Sequence, residues 1–145
     1  RLPKNVYQMK IRPTLGGMAE PKRYKILLID DSEIVRESAR LPLEDAGFDV
    51  ITTDSPLGAS ALVRRSKPDL VLVDMSMPAM SGDRLAKLLR DNRTTGSTRI
   101  VLFSDKPEAE LEAARVRCAA DGYISKNGGD IELLRSVRHL LTPAP

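Results

Sequence analysis

Residues 69–74 read DLVLVD and run straight into MSMP at residues 75–78. Four consecutive apolar side chains between two aspartates do not alternate, so both faces of the segment must be covered. Valine and leucine in a run this short suit a strand better than a helix. A strand inside a parallel sheet, with helices on both faces, has this signature. Two other segments share it, residues 25–30 (KILLID) and 99–104 (RIVLFS). Residues 48–53 and 121–125 are weaker strands, expected toward the edges.

Helical patterns fill the gaps. Residues 33–46 stop at Gly47, a good helix terminator. Ser55 and Pro56 offer an N-cap and a first-turn proline for a helix to about residue 66. Residues 84–90 place Leu85, Leu88 and Leu89 on one face. Residues 107–118 carry Glu108, Glu110 and Glu112 early, where the helix dipole favours negative charge. Asp130 is a candidate cap for a last helix whose Leu133, Leu134, Val137, Leu140 and Leu141 form a buried stripe. Pro42 conflicts with the first helix, since it removes a backbone donor at a cost of about 3 kcal/mol, and a kink or break is expected near residues 40–41. Five βα units predict a doubly wound α/β sheet, whose ligands sit at the carboxyl ends of the strands.

The 145 residues suffice for one such domain. Hydrophobic residues at 41% and charged residues at 30% suit a soluble globular chain. No apolar stretch approaches the roughly 20 residues of a membrane helix, and no secretory signal opens the chain. The expected location is cytoplasmic, without membrane contact. Cys118 is the only cysteine, which excludes an internal disulfide and a cysteine metal site. The net charge of +3 is unevenly spread: residues 1–24 hold six cations against Glu20 alone, a local +5 that leaves the remainder at −2. With no tryptophan and few aromatics besides, a mildly acidic body of this kind is not expected to bind nucleic acid directly.

Residues 1–24 include Pro3, Pro13, Gly16, Gly17 and Pro21 and read as a flexible leader or tag-like extension. Residues 6–11 within it could form a short edge strand or partner contact. The domain is expected over residues 25–141, with residues 142–145 (TPAP) as a tail or the start of a linker.

Chemistry gathers at the strand ends. The first strand closes in Asp30 and Asp31, the third in Asp74, the fourth in Ser104, and the fifth is followed by Lys126. Three neighbouring carboxylates repel, and a divalent cation relieves that repulsion. Mg²⁺ takes one or two carboxylates together with water and phosphate oxygens. Such a pocket suits phosphoryl transfer: a carboxylate nucleophile, a metal and an ammonium against the equatorial oxygens, and a hydroxyl donor. The product would be an acyl phosphate. Each residue also has a plainer role, as turn, cap or surface charge; the conjunction over four strand ends is what singles them out.

Residues 28–32 (LIDDS), 69–78 with Gly82, 102–104 (LFS) and 121–126 (DGYISK) together resemble the receiver domain of bacterial response regulators, over about four-fifths of the chain. The resemblance implies a flavodoxin-like sheet in strand order 2-1-3-4-5. It implies that Asp74 is the phosphoacceptor, that Asp30, Asp31, Asp74 and the Ser76 carbonyl hold Mg²⁺, and that Lys126 is the active-site lysine. Ser104 and Tyr123 match the switch pair, although Tyr123 also reads as a half-buried edge aromatic. The implied partners are a histidine kinase or phosphotransfer protein and a downstream protein or output domain, with a homodimer through the 107–118 helix, last strand and last helix. Independent enzymatic turnover is not expected. The alternative is a receiver-fold interaction module that works without phosphorylation. An aspartyl phosphohydrolase is disfavoured, because Ser76 stands where such enzymes carry a second acid.

One departure stands out. The family usually has proline after the lysine, in a cis bond, and here Asn127-Gly128-Gly129 follows. A non-proline cis bond costs about 2.5–4 kcal/mol, so the bond is either trans with a changed loop path or cis under strain. Ser76 and Lys106 are expected to tune the lifetime of the phosphoryl group. His139, the one histidine, is assigned a solvated or structural role and Cys118 a core position, and Met75, Met77 and Met80 pad the loop around the site.

Overall fold

Strand β1 (Lys25–Ile29) lies between β2 (Asp49–Thr53) and β3 (Leu70–Asp74), and β4 (Arg99–Ser104) and β5 (Gly122–Ser125) continue the sheet beyond β3. All four pairings are parallel, in the order β2-β1-β3-β4-β5. The computed structural model describes residues 22–92 and 95–142. The five helices are α1 (Glu33–Asp45), α2 (Ala59–Ser66), α3 (Gly82–Asp91), α4 (Glu108–Cys118) and α5 (Gly129–Leu141). Expectations placed on residues 1–21 and 143–145 lie outside the described residues.

The unbroken apolar runs explain the layering. Along β1, Ile26 and Leu28 face one core and Leu27 and Ile29 the other, since successive strand side chains point to opposite faces. The first core joins Ile26, Leu28, Leu70 and Leu72 to Ala39 and Leu43 of α1 and Leu133 and Val137 of α5. The second joins Leu27, Val71, Val73 and Leu102 to α2, α3 and α4. β1 and β3 lose almost all exposure, whereas β2 is half-buried throughout, as an edge strand should be. Each fully buried Leu or Ile contributes about 1.5–3 kcal/mol, so the two-sided sheet is the main stabilising feature.

Three local expectations need correction, and a fourth question, left open by the sequence, is decided. Helix α1 passes through Pro42 without a break. Pro42 lies in the last turn, where the helix has only three residues left to run, and Leu43 beyond it is fully buried in the core. Helix α2 begins at Ala59, not at the Ser55-Pro56 pair. Ser55 instead turns the chain by accepting from the Leu57 amide, and Gly58, at φ 81°, makes the left-handed entry that a Cβ would disfavour. Asp130 sits inside the first turn of α5, whose N-cap is Gly128. The bond between Lys126 and Asn127 is trans, since no cis peptide occurs among the described residues, and residues Lys126–Gly128 form a 3₁₀ turn.

Residues 22–24, the described end of the leader, lie against the sheet. Lys22 pairs with Asp69 at 2.8 Å, Arg23 with Asp49 at 2.8 Å, and Tyr24 packs on the core. No helix among the described residues is long and apolar enough to cross a membrane.

Candidate functional site

The strand ends that carry the candidate residues are also turns. In each, a side-chain oxygen accepts from the backbone amide two residues on. Asp30 Oδ1 accepts from Ser32 N at 2.9 Å, and Asp74 Oδ1 from Ser76 N at 3.3 Å. Ser104 Oγ accepts from Lys106 N at 3.1 Å, and Ser125 Oγ from Asn127 N at 3.1 Å. Short polar side chains that bond their own backbone terminate a strand and begin a turn. The candidate residues therefore also end the strands that present them.

Parallel pairing does the rest. β1 and β3 are neighbours, and the strand order reverses at that point, opening a crevice at their carboxyl ends. Oxygens of Asp30, Asp31 and Asp74 there lie within 4.8 Å of one another. Asp30 and Asp74 are buried, at 0% and 3% exposure, and Asp31 is exposed. From β5 across β4, the Lys126 ammonium reaches in, 2.7 Å from Asp30 Oδ2 and 2.9 Å from Asp74 Oδ1. It passes over the Phe103 ring at 5.4 Å. The trans bond after Lys126 thus leaves the amine within reach of both acids.

Ser104 is buried at the end of β4, beside β3. Tyr123 is half-buried on β5 and packs against the second core. With Arg115 of α4 and His139 and Leu140 of α5 it lines a groove of about 490 Å³. Lys106 and Met75 share a smaller pocket of about 230 Å³ with Glu110 and Arg117. Cys118 is buried in the core and Met75 and Met77 are buried beside the site.

Charge in the pocket is not balanced. Burial pushes the Asp30 carboxyl above its ordinary value, and Lys126 and the Ser32 amide offset this only in part. Desolvation works to lower the Lys126 pKa, but Asp30 and Asp74 together raise it above the ordinary lysine value. Asp30 Oδ2 is buried without a directed hydrogen bond, although the ammonium is 2.7 Å away. A hard oxygen with charge nearby and no directed donor, in a cluster of three carboxylates, fits a divalent cation such as Mg²⁺. Asp30, Asp31 and Asp74 are the side chains that could hold it.

Two expected results follow. Lys126→Met should lower the stability of the metal-free chain by about 3–5 kcal/mol, because it strands two buried acids without a counter-charge. Urea unfolding with a chelator present measures this, and an unchanged midpoint would contradict it. The Asp30 carboxyl gives a pH signature. Its raised pKa favours the fold in acid, and that contribution is lost as pH rises from the ordinary aspartate range through the raised value. Melting temperatures of metal-free wild type should therefore fall relative to Asp30→Asn over that window; parallel profiles would refute the assignment.

Two residues with no assigned role in the sequence lie against these strand ends. Gly82 opens α3 directly beneath β3: a Cβ there would stand 1.9 Å from the Asp74 carbonyl oxygen. Arg36 on α1 donates to the Asp30 carbonyl oxygen at 2.8 Å. A glycine in the first turn of a helix hints at close approach. Arg36 follows Ser32 by one helical turn, which places it on the same face as the strand end.

The model of the family described as "response regulator receiver domain" matches residues 26–138. The chain is 31% identical over 116 residues to the phosphate regulon transcriptional regulatory protein PhoB of Pseudomonas aeruginosa, covering 80% of this chain and 51% of PhoB. It therefore spans about half of PhoB's length. Protein PilG of the same organism is 30% identical over 114 residues, covering 79% of this chain and 84% of PilG. The chemotaxis response regulator CheY4 of Vibrio cholerae superposes with a TM-score of 0.76 at 25% identity, over 82% of this chain and 99% of CheY4.

Proposed function

The chain belongs to the response regulator receiver domain family, and on that premise we propose that it accepts a phosphoryl group on Asp74 from a histidine kinase or phosphotransfer protein. The observation that carries this reading is the Lys126 ammonium held between Asp30 Oδ2 and Asp74 Oδ1, with Asp31 completing the acid cluster.

In the proposed reaction an Asp74 carboxylate oxygen attacks phosphorus. An O–P bond forms as the P–N bond of a phosphohistidine, or the P–O bond of an acyl phosphate donor, breaks. Asp74 would act as the nucleophile through a carboxylate oxygen. Lys126 is already in contact with it and would turn to the equatorial phosphoryl oxygens as their charge develops. Ser104 would donate its hydroxyl to one of these oxygens. Bound Mg²⁺, held by Asp30, Asp31, Asp74 and the Ser76 carbonyl, would supply charge neutralisation between the acids and the anionic donor.

Output would be a population shift. Withdrawal of the Ser104 hydroxyl toward the phosphoryl group frees space that Tyr123 enters, which remodels the groove between α4, β5 and α5. A downstream protein, an output domain or a second copy of the chain would read that face. No separate substrate is turned over in this scheme. The missing proline supports the phosphorylation-independent alternative less once the trans loop is seen to deliver Lys126 to both acids.

The test is incubation with acetyl phosphate and Mg²⁺, followed by intact-mass measurement and peptide mapping. The expected result is one alkali-labile phosphoryl group on the peptide containing Asp74, dependent on Mg²⁺. No uptake from acetyl phosphate or from any histidine-phosphorylated donor would leave only the interaction-module reading.

A further inference from the structure

The carbonyl of Asp30 stands one residue past the end of β1, beyond the last rung of the ladder. Arg36, in the first turns of α1, meets it with Nη1 at 2.8 Å. The peptide bearing that carbonyl joins Asp30 to Asp31, so any displacement of it carries the Cα atoms of both acids with it. The Asp30 carboxylate has a second tether, the Ser32 amide at 2.9 Å. Asp31 is exposed, and its carboxylate lies in the cluster with those of Asp30 and Asp74. Arg36 is itself anchored, because its own amide bonds the Ser32 carbonyl at 2.9 Å as α1 begins.

We propose that Arg36 is a positioning residue: its guanidinium fixes the Asp30–Asp31 peptide so that both carboxylates converge with Asp74. It acts through the backbone and touches neither cation nor phosphoryl group. The inference rests on the reading of this pocket as a Mg²⁺-dependent phosphorylation site.

Charge and geometry make opposite demands here, which gives the test its sign. A guanidinium near a cation site repels the cation, so as a mere charge Arg36 weakens Mg²⁺ binding and its removal tightens it. As a clamp it strengthens binding, and its removal loosens it. Supporting contacts of this kind typically change metal affinity by about 10–100-fold.

Calorimetric titration of the full chain with Mg²⁺ decides between them. Arg36→Met is expected to raise the dissociation constant about 10–100-fold, and Arg36→Lys, which keeps a charged donor, to recover most of it. Arg40→Met is the control. It removes the same charge from the same helix, but among the described residues Arg40 pairs with Glu37 and Glu44, and its screened surface charge should shift affinity less than about twofold. Should Arg36→Met not fold, Arg36→Gln takes its place with the same threshold. An unchanged or tighter constant in the Arg36 variant overturns the inference while phosphoryl uptake by the wild type stands. If the wild type binds no Mg²⁺ and takes no phosphoryl group, both readings fall together.

Discussion

Asp74→Asn will take up no phosphoryl group from acetyl phosphate under conditions that modify the unchanged chain to completion. The amide has the shape of the carboxylate but not its nucleophilic charge, so no acyl phosphate can form on it. The fold should survive. Asp74 Oδ1 accepts from Lys126 at 2.9 Å and from the Ser76 amide at 3.3 Å, and an amide oxygen can accept both. One of the like charges in the acid cluster is also removed, which relieves repulsion in the metal-free state. Mg²⁺ affinity should fall for the same reason. Intact mass reads the first effect and urea unfolding the second. A mass gain retained in this variant would move the modification to another residue and remove Asp74 from the proposal.

Gly82→Ala should be among the most damaging single-methyl changes available to this chain. The added Cβ would lie 1.9 Å from the Asp74 carbonyl oxygen, 2.6 Å from its carbonyl carbon and 2.7 Å from the Met75 Cα. All three are backbone atoms, so no side chain can rotate away. Either α3 must back off or the end of β3 must move. The Gly82 amide also donates to the Met75 carbonyl at 3.1 Å, a bond the displacement would stretch. Overpacking commonly costs 1–3 kcal/mol where side chains can adjust; a rigid clash of this depth should cost more than about 4 kcal/mol, or on the order of 10–20 °C in melting temperature. Because the obstructed carbonyl belongs to Asp74 itself, whatever protein still folds should be phosphorylated more slowly. A melting temperature within a few degrees of wild type would show that α3 can yield.

Where the sequence misled, one local signal was overridden by another or by packing in the core. Pro42 reads as a helix breaker, yet α1 continues through it for three residues, with Leu43 beyond it fully buried in the core. Ser55-Pro56 reads as a helix start, but the left-handed Gly58 sets the true entry to α2. Asp130 reads as a cap, yet the glycines after the 3₁₀ turn begin α5 sooner. Arg36 and Gly82 were obscure for a different reason. One acts on a backbone carbonyl and the other by having no side chain, and neither leaves a pattern in residue chemistry.

The sequence alone pointed to the architecture and to the polar residues at the strand ends. Continuous apolar runs at residues 25–30, 69–74 and 99–104 can be satisfied only by a sheet covered on both faces, and parallel strands bring their carboxyl ends to one edge. Asp30, Asp31, Asp74, Ser104 and Lys126 were legible there because polar residues that end a strand announce themselves against it. Only the tertiary structure decided the distances: that Lys126 spans two buried acids over a trans bond, that Asp30 Oδ2 is left without a directed donor, and that α3 passes within a methyl group's reach of β3. Those are properties of how separate strands and helices meet, and contacts between residues far apart along the chain, such as 30, 74 and 126, leave no mark on its local pattern.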